Sequence, residues 1–292
     1  MGLDRLDTAS IDDLIRGLRE RRVSSRELVE DHLARITEHD AKLGAVIEIN
    51  PDATAIAAER DAERAAGDLR GPLHGIPIMV KDNLDTGDRM TTTAGSLALA
   101  GHRAASDSHV VQRLRAAGAI ILAKTNLSEW ANFRSTRSSS GWSSRGGQTR
   151  NPHDINRTPR GSSSGSGVAV AAGYCVGAIG TETGGSIIAP SSANGVVGIK
   201  PTVGLVSRSG IIPITTSHDT AGPMTRSVTD AALLLGVIAG TDPSDRATEG
   251  ADDHRQDYAA TLDVTALDGA RLGVARTYCG LHDGADRLLE GA

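Results

Sequence analysis

A chain of 292 residues is long enough to bury one large core or to divide into two domains. Its charged fraction of 23% and net charge of −5 give no concentrated positive face for nucleic acid. No apolar run reaches the ~18 residues that a membrane span needs.

Aromatic residues make up 2% of the chain against 34 glycines, so the core has to be filled by Ala, Val, Ile and Leu at close backbone approach. Cys175 and Cys279 lie far apart and outside any CxxC pair, which predicts two free buried thiols and no metal or redox site. The N-terminus, MGLDRLDTASIDDL, carries acids and lacks the apolar region of a secretory leader, so the expected location is the cytoplasm.

Residues 1–66 read as a helical N-terminal part. Ser24 and Glu27 have capping-box spacing, and Leu28, Leu33 and Ile36 recur on one face of the helix that follows. Ala45–Ile49 reads as a short strand, and Pro51 opens an Ala-rich helix running to about Ala66. Over 67–292 the pattern alternates strand with helix. Ile76–Val80 is an apolar run ending at Lys81-Asp82-Asn83. Asp107–Ala117 is helical and Gly118 stops it. Ala119–Ala123 is a second apolar run, ending at Lys124-Thr125-Asn126. Such alternation predicts an α/β fold, a sheet covered by helices.

Residues 134–167 are rich in Ser, Gly and Arg, the composition of a flexible linker. They also hold Trp142, Asn151 and Pro152 and run directly into the apolar Val168–Ala172, so a structured active-site loop is expected. Val176–Gly180 is a further apolar run. Residues 227–239 read as a helix, and Arg271–Ala275 resembles a last strand.

Four lysines, Lys42, Lys81, Lys124 and Lys200, limit the search for a catalytic amine. No phosphate-cradling GxxxxGK[ST], no HExxH and no Ser-x-x-Lys occurs. Gly161-Ser162-Ser163-Ser164-Gly165 satisfies the GxSxG nucleophile elbow, which would make Ser163 the nucleophile. That motif demands a strand before the serine, and residues 151–160 are polar and hold two prolines. Ser186 has a better context. It follows an apolar run and Gly184-Gly185, and consecutive glycines let backbone N–H groups converge on one point, as an oxyanion hole needs. A plain tight turn accounts for the same residues, and local sequence leaves the two open.

Five blocks, in order, resemble those of the amidase signature family. They are Gly75-Ile76-Pro77-Ile78-Met79-Val80-Lys81-Asp82-Asn83, Gly161-Ser162-Ser163-Ser164-Gly165-Ser166-Gly167, Gly180-Thr181-Glu182-Thr183-Gly184-Gly185-Ser186-Ile187, Gly198-Ile199-Lys200-Pro201-Thr202 and Asp219-Thr220-Ala221-Gly222-Pro223-Met224. Segments 141–152 and 204–208 are most similar to the family's bacterial peptide amidases, which remove the C-terminal amide of peptides. The resemblance implies a single amidase-signature domain over 1–292 with a mixed central sheet.

For the site, the resemblance implies Lys81 as base, Ser162 as bridge after a cis peptide, and Ser186 as nucleophile. The backbone N–H groups of Thr183, Gly184, Gly185 and Ser186 would form the oxyanion hole. No cofactor is implied. Lys81 and Lys124 both end apolar runs, so desolvation alone does not separate them. The 24-residue step from Ser162 to Ser186 fits the family pattern. A lysine accepts a proton only when neutral, so its pKa has to fall from about 10.4 toward 7, which burial can supply.

Glu182 and Ile188 stand where the family has Asp and Arg, a joint change expected to replace an ion pair by packing. Family members are also considerably longer, so the chain is expected to be truncated at its C-terminus and to need a complementing chain or an oligomer. The expected substrate is a small-molecule or peptide amide. A partner-dependent subunit resembling the glutamine-hydrolysing part of a tRNA amidotransferase, and an inactive remnant, are the alternatives.

Overall fold

The computed structural model describes residues 7–291, which fall into two compact units dividing after Ala260. In the first unit, helix α1 (Ile11–Arg19) starts at a Ser10/Asp13 capping box and buries Ile11, Leu14 and Leu18. Helix α2 (Ser25–Leu43) starts at the Ser24/Glu27 box and ends at Gly44, whose φ of +58° favours glycine. The Asp40 carboxylate then accepts the amides of Ala45 (2.7 Å) and Val46 (3.1 Å), turning the chain into strand β1 (Val46–Ile49). Helix α3 (Ala53–Ala66) follows, and Gly67 ends it.

The chain continues as β2 (Pro77–Lys81), α4 (His109–Ala116), β3 (Ile120–Thr125) and a small hairpin of β4 (Trp142–Ser143) with β5 (Gly147–Gln148). Then come α5 (Ser164–Ala171), β6 (Gly177–Glu182), α6 (Ile188–Ala193), β7 (Val197–Gly198), β8 (Thr220–Thr225) and α7 (Val228–Ile238). The main sheet has the order β1-β3-β2-β6-β8-β7. β2 runs parallel to β3 and β6, while β1 is antiparallel to β3, and β8 is antiparallel to β6 and β7. This is the mixed, helix-covered sheet that the sequence predicts.

Both faces of the sheet are buried, which is why its strands read as continuous apolar runs. Ile78, Val80, Ile121 and Ile179 pack with Leu14, Leu18, Val111, Leu114, Leu234 and Ile238 of α1, α4 and α7. The alternate residues Met79, Ile120, Leu122 and Ala178 pack with Val29, Ile36, Ala57, Val168 and Val170 of α2, α3 and α5. Between β2 and β3 the register slips: Ile78 pairs with Ile121 but Met79 pairs with Ala123, so Leu122 is bulged out. As a result Val80 pairs with Lys124, and Lys81 with Thr125.

Among the described residues the second unit carries one α-helix, α8 (Asp283–Gly291). The strand expected at Arg271–Ala275 does not form. These residues are exposed and have no ladder partner, and an apolar run makes a strand only where another edge pairs with it. Cys175 is buried and Cys279 half-buried, and both are free thiols; the second differs from the buried thiol expected. Among the described residues no helix is long and apolar enough to cross a membrane.

Candidate active site

Strand β2 ends on Lys81, and the neighbouring β6 ends on Thr181 and Glu182. Into the gap between these strand ends comes the segment that opens α5, with a cis peptide between Gly161 and Ser162. Lys81 is fully buried. Its Nζ donates to Ser162 Oγ (2.8 Å), Thr181 Oγ1 (2.8 Å) and the Thr181 carbonyl (3.3 Å). Asn83 Nδ2 also donates to Thr181 Oγ1 (3.0 Å). The face of Lys81 is the one α5 covers: its ladder partner Thr125 shares a hydroxyl–hydroxyl hydrogen bond with Ser166 of α5 (2.7 Å).

Burial pulls the Lys81 amine from 10.5 down to about 7, against the opposing pull of the Asp219 and Glu182 carboxylates. Burial also lowers Lys124, but this side chain is held quite differently. Its Nζ donates to the carbonyls of Leu84 (2.7 Å) and Thr91 (3.0 Å) and to Thr92 Oγ1 (3.0 Å), 3.6 Å from Asp82 Oδ1. Lys124 faces a carboxylate, two carbonyls and one hydroxyl, whereas Lys81 faces two hydroxyls and one carbonyl. Lys200 donates to the Pro201 carbonyl (2.9 Å).

Ser162 and Ser186 both line a cavity of about 250 Å3 above Lys81. Ser186 is 8% exposed, enough for contact with a ligand. Ser163 is fully buried and lies outside this lining. Its Oγ accepts the Thr181 amide (3.2 Å) and donates to the Thr181 carbonyl (3.1 Å), and its amide donates to the Ser186 carbonyl (3.1 Å). Ser163 therefore ties the serine segment to both β6 and the Ser186 turn. No strand precedes it, so the nucleophile-elbow geometry is absent. Gly180 makes this closeness possible, because a Cβ there would meet Ser163 Oγ at 2.8 Å and Met224 Sδ at 2.9 Å.

The turn from Thr183 to Ser186 departs from expectation in two ways. The Gly185 amide is not an open donor, since it points at Glu182 Oε1 (2.6 Å). Among the described residues, no protein acceptor takes the amides of Thr183, Gly184 or Ser186. Nor is the lost Asp–Arg pair replaced by packing. Ile188 is 46% exposed, and the longer Glu182 reaches back to the turn, its Oε2 accepting the amides of Ile187 (2.7 Å) and Ile188 (3.0 Å). A carboxylate on three backbone amides fixes the turn without a guanidinium.

In the sequence Asp219 stands out only as part of a motif. Its Oδ1 accepts the Thr183 hydroxyl (2.5 Å), and its Oδ2 accepts the amides of Ile214 (2.7 Å) and Thr215 (2.9 Å), joining the turn to an apolar wall at 211–214. Thr181 and Asn83 likewise lie inside the family-like blocks, where sequence gives them no role. Arg208 and Asp245, also in the lining, have no local signal pairing them. No group of three or more His, Cys, Asp or Glu suited to a metal occurs among the described residues.

A family model described as Amidase matches residues 27–292. The native peptide amidase of Stenotrophomonas maltophilia superposes with a TM-score of 0.90 at 53% identity, over 97% of this chain and 59% of that one. An amidase family protein of Bacillus anthracis gives 0.87 at 43% identity, over 90% of this chain and 53% of that one. A glutamyl-tRNA(Gln) amidotransferase component of Anaeromyxobacter sp. is 45% identical over 279 residues, 94% of this chain and 54% of that protein. The chain thus spans 53% to 59% of the length of these three relatives. With a match running through nearly all of its residues and a shared fold, the chain belongs to the amidase family.

Proposed function

We propose that the chain hydrolyses a carbon–nitrogen amide bond through an acyl-enzyme on Ser186. One observation carries this reading: a buried lysine whose amine sits near neutrality donates to Ser162 beneath the cavity that Ser186 lines. In its neutral form Lys81 accepts the Ser162 proton while Ser162 accepts that of Ser186, whose oxygen adds to the amide carbonyl. The open amides of Gly184 and Ser186, with that of Thr183, hold the oxyanion. Collapse breaks the C–N bond, the proton returns through Ser162 to the leaving nitrogen, and ammonia departs. Water then adds to the acyl group along the same relay, giving the acid and free Ser186.

The substrate in this reading is the C-terminal amide of a peptide, supported by the 53% identity to a peptide amidase. A cytoplasmic location accompanies it, supported by the two free cysteines. The test is a fluorophosphonate label mapped by mass spectrometry, beside ammonia release from an amidated dipeptide. The adduct is expected on Ser186, and an adduct on Ser163 overturns the assignment.

A further inference from the structure

The cavity lining carries four charged side chains: the carboxylates of Glu182, Asp219 and Asp245, and the guanidinium of Arg208. That single cation is already engaged. Arg208 donates from Nε to Asp245 Oδ2 (2.8 Å) and from Nη2 to Oδ1 (2.5 Å), its Nη1 bonds the Thr216 carbonyl, and its amide bonds Asp245 Oδ2 (2.9 Å). These hydrogen bonds hold the Asp245 carboxyl down at about 2, so the pair is ionised and mutually neutralised at any working pH. Glu182 and Asp219 have their oxygens engaged by amides and a hydroxyl, all neutral donors, and no cation of the lining forms an ion pair with either. The lining is net negative, and Lys81 beneath it is uncharged when it acts as base.

Hydrolysis changes the charge of what the cavity holds. An amide and water give a carboxylate and an ammonium ion, so the product carries a negative charge that the substrate lacked. We propose that this cavity excludes carboxylates, with Asp245 as the positioning residue that withholds Arg208 from them. The chain then takes amides with no free carboxylate near the scissile bond and sheds its acid product by repulsion. This rests on the amide-hydrolysis reading above. An amidated peptide end meets the requirement, and glutamine, with its α-carboxylate, does not.

Three amides of one length test the proposal: pentanamide, its ω-carboxylate analogue glutaramate, and its ω-ammonium analogue 5-aminopentanamide. The two ions lose hydration alike on entering the cavity, so their ratio isolates the sign of the charge. The kcat/KM of the ammonium amide is expected to exceed that of glutaramate by about tenfold or more, a gap that narrows as salt rises.

Asp245→Asn frees the guanidinium and should lower the ratio, whereas Arg208→Gln leaves Asp245 unpaired and should raise it. A merely structural role would not move the ratio in opposite directions. Equal rates for the two ions, a preference for glutaramate, or a ratio that neither substitution moves overturns the proposal. If no amide is hydrolysed, the amidase reading fails on its own. Calorimetric binding of the same three amides to Ser186→Ala then decides the charge question, the expected order being ammonium above carboxylate and equal or reversed affinities sinking it.

Discussion

Replacing Lys81 by methionine, which keeps the volume and removes the charge, should abolish turnover and make the fold more stable at neutral pH. An amine whose folded pKa lies below its unfolded value binds its proton more tightly in the unfolded chain. Lys81 therefore destabilises the fold in full below pH 7, and the effect fades as pH rises from about 7 to 10.5. The whole shift amounts to about 5 kcal/mol, at about 1.4 kcal/mol per pH unit. The methionine forfeits hydrogen bonds to Ser162 and Thr181, about 1 kcal/mol each, so some net gain should survive at pH 6.

The sharper quantity is the difference between the two proteins. The advantage of Lys81→Met should level off below pH 7 and shrink by roughly 2 kcal/mol between pH 7 and 9. Urea unfolding of both proteins at pH 6, 7, 8 and 9 measures it. In parallel, kcat/KM of the unsubstituted chain should rise with pH through about 7, as the base loses its proton. A difference that stays constant across this range would show that Lys81 is not held near neutrality, and the base assignment would fall with it.

Lys124→Met should act in the opposite sense, losing up to about 3–5 kcal/mol because the buried Asp82 carboxylate keeps only Arg145, 3.5 Å from its Oδ2, as a cation; the same unfolding assay reads this, and equal stability would contradict the pairing. Ser186→Ala should end both labelling and hydrolysis with little change in Tm. Ser163→Ala should still be labelled on Ser186, yet lose about 1–3 kcal/mol because the Thr181 amide loses its acceptor. Glu182→Gln turns an amide donor toward backbone N–H groups, so turnover should fall by about tenfold or more while labelling slows in parallel; full activity would mean that the turn is fixed by something else.

The elements were legible wherever a periodic apolar pattern met a cap. The Ser24/Glu27 box, the stop at Gly118 and the runs leading into Lys81 and Lys124 all fall where the sequence puts them. Strand order was not legible, because both faces of this sheet are covered and its strands look alike in one dimension. What separates Lys81 from Lys124 was hidden for another reason: a one-residue bulge leaves no mark in composition. Glu182 looked like a defect in a motif, since an extra methylene says nothing about which amides it will meet. The Arg208–Asp245 fork joins residues 37 positions apart, beyond the reach of any local pattern. The segment 271–275 misled because β-propensity reports fit to a pleated surface and cannot supply the neighbouring edge.

The bulge at Leu122 also solves a problem of two like charges. In unbroken register Lys81 and Lys124 would be cross-ladder partners on one face, their backbones about 4.8 Å apart. Each ammonium would then drive the other toward deprotonation, and neither residue could hold a charge state of its own. Skipping a single residue moves Lys124 to the Val80 position and hands the place beside Lys81 to a threonine. The sheet becomes an insulating partition: the amine beside the Asp82 carboxylate serves architecture on one side, and the amine bonded to Ser162 stands on the other. Deleting Leu122 would straighten the strand yet leave Lys124 opposite Val80, so it is the place taken by the extra residue that keeps the two amines on opposite faces.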